Sequence, residues 1–311
     1  MDTPIVALAG GVGGAKLISG LTKTLDTKDL TIIVNTGDDE EFHGLHVSPD
    51  IDTMTYTLAG LTNNLTGWGR SCETYHTLQC LQDFGLDTWF KLGDKDMATH
   101  IYRTDLLKKG HSLSEVTTLI SEALGVRYVI APMTDDMIRT KIITEKHVLS
   151  FQEYFVMHQG KVTIKDLVFE GSEHALPSPI FSKSLEKANG LIICPSNPFL
   201  SIAPILSIPG VRSSLEGFPG LRVAISPIIG ERAVRGPAAK ILEDFGEDVS
   251  CFGVARQYRN ICDIFVIDKS DKKYMQDIEN LSLQVHTANI MMNTDADKER
   301  LAREICDLIE V

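Results

Sequence analysis

Ile5-Val6-Ala7-Leu8-Ala9-Gly10-Gly11-Val12-Gly13-Gly14-Ala15-Lys16 decides the fold. Five apolar residues in a row, closed by glycines, have the length and character of a strand buried on both faces. A helical stretch from about Gly14 to Leu25 follows, and Leu30-Thr31-Ile32-Ile33-Val34 supplies a second buried strand. Strand, glycine turn, helix and strand make a βαβ unit, which requires a parallel sheet covered on both faces. Further apolar strands are predicted at Tyr128–Ala131, Gly190–Cys194, Arg222–Ile225 and Ile264–Ile267, separated by helix-length stretches. The expected fold is therefore α/β, a doubly wound, mostly parallel, Rossmann-like sheet.

One region departs from that rhythm. Thr140–Thr144, Gln152–Val156 and Val162–Phe169 alternate with strand period, and Gly160 offers a turn between the last two. They predict a small antiparallel β insertion. The chain then divides into a first core segment (1–140), the insertion (141–175) and a second core segment (176–311). Asp295 to Ile309 reads as a terminal helix, with Leu301, Ile305 and Leu308 on its core-facing side.

Composition removes several function classes. Thirty Lys and Arg stand against 42 Asp and Glu, for a net charge of −12 over 311 residues. So acidic a surface opposes binding to nucleic acid or to an anionic membrane. No apolar run approaches the ~20 residues needed to cross a bilayer. Met1-Asp2-Thr3-Pro4 lacks the basic segment of a signal peptide, so the cytoplasm is the expected location. Six cysteines without a Cys-x-x-Cys spacing are expected to be buried, reduced thiols.

The glycine turn suits a phosphate-bearing ligand, because helix N–H groups there are free to face an anion. A dinucleotide fingerprint started at Gly11 requires Gly or Ala where Lys16 stands, and Asn35 replaces the ribose-binding carboxylate. A Walker loop started at Gly10 would need Ser or Thr at Leu17. A nicotinamide-dependent oxidoreductase is thereby disfavoured, though it stays the rival reading beside a non-catalytic nucleotide-binding regulator of the same fold. Asp38, Asp39, Asp50 and Asp52 follow the second strand, at the edge where doubly wound sheets bind ligands. Hard carboxylate oxygens beside a phosphate site suit Mg²⁺. His43 and His46 are further candidates as ligands or bases, and Asp50 or Asp52 could instead cap the helix that Ser48-Pro49 begins.

Gly10–Lys16, Asn35–Asp39 and His43-Gly44-Leu45-His46-Val47-Ser48-Pro49-Asp50-Ile51-Asp52-Thr53 together resemble the 2-phospho-L-lactate transferase family. The resemblance continues through Gly67-Trp68-Gly69, Trp89–Asp96, Ala98-Thr99-His100, Phe151-Gln152-Glu153, Cys194-Pro195-Ser196-Asn197-Pro198, Pro204-Ile205-Leu206 and Gly236–Lys240. It implies transfer of 2-phospho-L-lactate from lactyl-2-diphospho-5′-guanosine to a hydroxyl of the deazaflavin Fo, releasing GMP, in coenzyme F-420 biosynthesis. It also implies Mg²⁺ and a homodimer, and some family members take a phosphoenolpyruvyl-derived donor instead. On this reading Gly11, Val12, Gly13, Gly14, Lys16, Asn35, Thr36, Ser196, Asn197 and Pro198 hold the nucleotide and its phosphates. Asp50, Asp38 and Asp39 hold the metal. Asp50, Trp89, Lys91 and Trp68 meet Fo, with Phe90 a further aromatic candidate, and Asp50 is the residue expected to carry the chemistry.

Overall fold

The computed structural model describes residues 4–230, 232–234 and 236–309. β1 (Ile5–Ala9) runs into the glycine turn and helix α1 (Gly11–Leu21), and β2 (Leu30–Val34) returns parallel to it. A hairpin of β3 (Glu40–Phe42) and β4 (Leu45–Val47) leads to α2 (Pro49–Leu58), then α3 (His76–Asp83) and α4 (Asp94–Lys108). After β5 (Val129–Pro132) come β6 (Arg139–Ile143), β7 (Val148–Ser150) and β8 (Asp166–Glu170), which pair antiparallel in the order β7-β6-β8. β9 (Gly190–Ile193), β10 (Leu221–Ile225), a two-residue hairpin of β11 (Ile228–Ile229) and β12 (Arg232–Ala233), β13 (Ile264–Asp268) and β14 (Gln284–Ala288) complete the strands.

Seven strands form one sheet in the order β14-β13-β10-β9-β1-β2-β5, every pair parallel. Alternate residues of each strand serve opposite layers, as the two-residue strand period requires. Val6, Leu8, Ile33, Leu191, Ile193, Ala224 and Phe265 face one apolar layer. Ile5, Ala7, Ala9, Ile32, Val34, Ile192 and Val266 face the other, which α1 and the terminal helix Asp295–Ile309 cover. The doubly wound parallel core and its antiparallel insertion are as the sequence predicts.

Four local expectations need correction. The third strand of the insertion is Val148–Ser150, whereas Gln152–Val156 does not extend: residues Glu153–Met157 wind into a π-helical turn, with the His158 N–H bonded back to the Glu153 carbonyl. α1 begins at Gly11 and ends at Leu21, not at Gly14 and Leu25. Ser48 is the N-cap residue of α2, so neither Asp50 nor Asp52 caps it; Ser48 itself turns its hydroxyl to Asp39 Oδ2 at 2.7 Å. Cys194, Cys251, Cys262 and Cys306 are buried, but Cys72 and Cys80 are exposed, and no disulfide joins them among the described residues.

Strand order locates the ligand edge. From β1 the chain winds outward through β2 to β5, then crosses to the other side of β1 and winds outward again through β9 to β14. The reversal falls between β1 and β9, where the loops beyond the two carboxyl ends part and leave a crevice.

Candidate active site

Two loops meet in that crevice. Gly10 N–H donates to Ser196 Oγ at 3.0 Å, and Ser196 Oγ donates to the Gly10 carbonyl at 2.8 Å. Much of the glycine content answers to this contact. A Cβ on Gly13 would overlap the Pro195 carbonyl oxygen, and one on Gly14 would lie 2.8 Å from Ser196 Oγ. One on Gly10 would stand 2.5 Å from Asp50 Oδ2 and 2.6 Å from Ser201 Cβ. Gly11 is different: its φ is +61°, a left-handed conformation that favours glycine, and no atom outside its chain neighbours comes closer to that position than Asp50 Oδ1 at 3.9 Å.

Asp50 is carried to this turn by α2. Its Oδ1 accepts the Gly11 N–H at 2.8 Å and its Oδ2 accepts Asn35 Nδ2 at 3.1 Å. Burial pushes its carboxyl up to about 6, an effect the two hydrogen bonds moderate and the nearby Asp39 charge reinforces. Asn35 Nδ2 also donates to Asp38 Oδ1 at 2.6 Å, while its Oδ1 accepts the Gly37 N–H. Asp38 is raised well above the usual carboxylate range by burial, then by the charges of Asp50 and Asp39. Asp39 turns to His46 Nε2 (3.0 Å) and Ser48, leaving Oδ1 buried without a hydrogen bond among the described residues. Buried carboxylates that repel one another and are only partly compensated are a fitting donor set for a hard divalent cation.

The crevice opens into a cleft of about 490 Å³. Of the residues singled out from sequence, Gly11, Val12, Gly13, Lys16, Asp38, Asp50, Trp68, Phe90, Lys91, Ser196 and Asn197 border it. Gly14, Asn35, Thr36, Asp39, Trp89 and Pro198 stand behind that lining, Asn35 acting through its bonds to Asp38 and Asp50. Lys16 Nζ donates to the Met292 carbonyl at 2.9 Å, on the cleft wall. Asn197 caps the turn Pro198–Ile202, its Oδ1 accepting the Phe199 and Leu200 N–H groups; its Nδ2 is buried and has no hydrogen-bond partner among the described residues. Phe90 stacks on Phe42 at 3.9 Å between centroids, and Trp89 packs edge-on against both, so Phe90 and not Trp89 presents to the cleft. His43 is an exposed turn residue with φ +53°.

Of the cleft's other polar side, sequence reasoning named Asp52 as a candidate and met Asp96 and His100 only within the resembling segments; Tyr56 and Arg103 it did not single out. Arg103 is fully buried and grips both carboxylate oxygens of Asp52. His100 lies between Asp52 and Asp96, and the Tyr56 hydroxyl donates to Asp96 Oδ1 at 2.6 Å. The available signal was the spacing of Asp96, His100 and Arg103, four and three residues apart, which puts three polar groups on one face of α4. Gln152, also buried, donates from Nε2 to the Asp38 carbonyl and ties the insertion to the carboxylates.

The comparisons with known proteins agree with one another. The family described as 2-phospho-L-lactate transferase CofD matches residues 5–310. A 2-phospho-L-lactate transferase of Methanocaldococcus jannaschii is 39% identical over 307 residues, covering 97% of each chain. A phosphoenolpyruvate transferase of Streptomyces griseus is 38% identical over 317 residues, covering 98% of each. A crystal structure of a Bacillus halodurans protein superposes with a TM-score of 0.65 at 16% identity, over 98% of this chain and 99% of that one. At that identity the likeness bears on fold alone.

Proposed function

The chain belongs to the 2-phospho-L-lactate transferase family, and we propose that it moves 2-phospho-L-lactate from lactyl-2-diphospho-5′-guanosine to the side-chain hydroxyl of Fo, releasing GMP. The observation that carries this reading is the hydrogen bond from Gly11 N–H to Asp50, which joins a phosphate-type turn to a carboxylate in a cleft with an aromatic rim.

The chemistry follows from those residues. The donor's diphosphate lies along Gly11 to Gly14, and Lys16 with the N-terminus of α1 balances the negative charge that grows on the departing phosphate. The flat acceptor ring rests against Trp68 and Phe90, beside Lys91. The acceptor hydroxyl oxygen attacks the phosphorus that bears lactate, its proton passes to Asp50, and the bond to GMP breaks. In the metal-free protein, burial raises the affinity of Asp50 for a proton above that of a surface aspartate, which suits a base. Asp38 and Asp50 would hold Mg²⁺, which supplies charge neutralisation on the diphosphate when bound. No step calls for a covalent enzyme intermediate, since in such transfers the protein chiefly aligns and neutralises.

Incubation with Fo, donor and Mg²⁺, followed by mass spectrometry, tests the reading. Equal amounts of phospholactyl-Fo and GMP are expected, both lost with EDTA and restored by Mg²⁺; absence of both products contradicts it. A phosphoenolpyruvyl donor run beside the lactyl one distinguishes the two activities that the relatives' names carry. The protein is expected to be a homodimer, and a monomer mass by light scattering would contradict that.

A further inference from the structure

The polar face of α4 is not used by the transfer described above. Arg103 NH1 donates to His100 Nδ1 at 3.2 Å as well as to Asp52. A guanidinium has no acceptor atom and keeps its charge, so Nδ1 must be the accepting nitrogen. His100 is therefore the neutral tautomer with its proton on Nε2. That Nε2–H is buried and makes no hydrogen bond among the described residues; Asp96 Oδ1 is 3.4 Å away and already receives the Tyr56 hydroxyl. Asp96 Oδ2 receives none of the side-chain hydrogen bonds among the described residues. The Tyr56 hydroxyl bonded to Oδ1 and the Arg103 charge nearby favour the ionised form of Asp96, so it stays an acceptor.

Asp52, Asp96 and His100 stand close enough together to surround an ion. Both Asp52 oxygens and His100 Nδ1 face a fixed guanidinium, however, so a divalent cation there would sit beside a permanent positive charge. What remains is one donor, Nε2–H, beside one acceptor, Oδ2. A hydroxyl both donates and accepts, and matches that pair. Asp96 and His100 border the same cleft as Trp68 and Phe90.

Resting on the acceptor reading proposed above, we infer that Asp96 and His100 form a subsite for the hydroxyl groups of the acceptor's polyol chain. Asp96 accepts from the chain, His100 donates to it, and Tyr56 and Arg103 are positioning residues for the pair. An acceptor with an apolar tail would leave the buried Nε2–H unsatisfied and is selected against.

The test compares binding of Fo with binding of the same ring carrying a methyl group in place of the polyol, with GDP affinity as the control for folding. Wild-type protein binds Fo more tightly than the truncated ring. Asp96→Asn, which puts a donor in place of an acceptor, weakens Fo about tenfold or more, the scale of a lost hydrogen bond to a charged group. His100→Asn keeps an acceptor towards Arg103 but removes the Nε2 donor, and also narrows the preference for Fo. His100→Gln restores a donor near that position and recovers part of it. Affinities for GDP and for the truncated ring stay within about twofold, since neither ligand reaches the pair. Should Asp96→Asn fail to fold, the two His100 variants decide the matter. Equal weakening of Fo and truncated ring, or an unchanged preference in the variants, overturns the subsite while leaving the transferase reading intact. Wild-type protein that binds GDP but not Fo overturns the acceptor reading, and the subsite with it.

Discussion

Asp50 holds its proton more tightly than a surface carboxylate because α2 delivers it into a buried position beside Asp38 and Asp39, where Gly11 N–H and Asn35 Nδ2 compensate its charge in part. A folded-state pKa raised to about 6 means that ionisation opposes folding. The stabilising contribution is complete below the unfolded value, near 3.8, and is lost as pH rises through 6. Asp50→Asn has no such titration. Its melting temperature should therefore gain on that of the metal-free wild type between pH 4.5 and 7.5, and a difference that does not vary with pH would contradict the burial argument. In turnover the same variant should fall about a hundredfold or more, the scale of a lost general base or charge stabiliser, with GDP binding retained. Near-normal turnover at saturating substrates and Mg²⁺ would deny Asp50 a chemical role. Asp50 was legible in sequence because it follows the second strand at the ligand edge. Its hydrogen bond to Gly11 was not, since 39 residues separate the two.

The glycine turn binds two elements together before it binds any ligand. Gly13 and Gly14 let α1 start hard against the Pro195–Ser196 turn, so the two loops on either side of the crevice behave as one unit. Gly13→Ala must push them apart; a loss of about 1–3 kcal/mol is expected from overpacking, together with weaker GDP binding. Gly11→Ala has open space but the wrong backbone, and should cost about 1–2 kcal/mol. Chemical denaturation reads both, and a Gly13→Ala protein as stable as wild type would show that the loops do not need their contact. The motif predicted a turn and a ligand, but the close approach of Pro195 is a tertiary fact. Strand β14 escaped the sequence reading for a related reason. Gln284-Val285-His286-Thr287-Ala288 lies at the sheet edge, half exposed, and lacks the unbroken apolar run of the central strands. In the insertion, Val148–Ser150 is too short to display a period, and the apolar residues just beyond it supplied the misleading one.

At the scale of the molecule, the reversal of strand order beside β1 makes one cleft out of segments distant in the chain: the glycine turn, the start of α2, the aromatic rim near Phe90, the insertion's Gln152 and the Ser196 turn. The parallel core was legible because its strands are buried on both faces and read as continuous apolar runs. The polar floor contributed by α4 was not, because its partners on α2 come into view only once the helices pack. If the cleft takes donor and acceptor together, as proposed above, one attacks the other directly, with no relay through an enzyme nucleophile. The most direct test is rapid mixing of the protein and Mg²⁺ with donor alone, then with donor and Fo, following GMP in the first turnover. Direct transfer predicts no GMP burst from donor alone, and GMP formed in step with phospholactyl-Fo once Fo is present. A stoichiometric burst of GMP without Fo would contradict it.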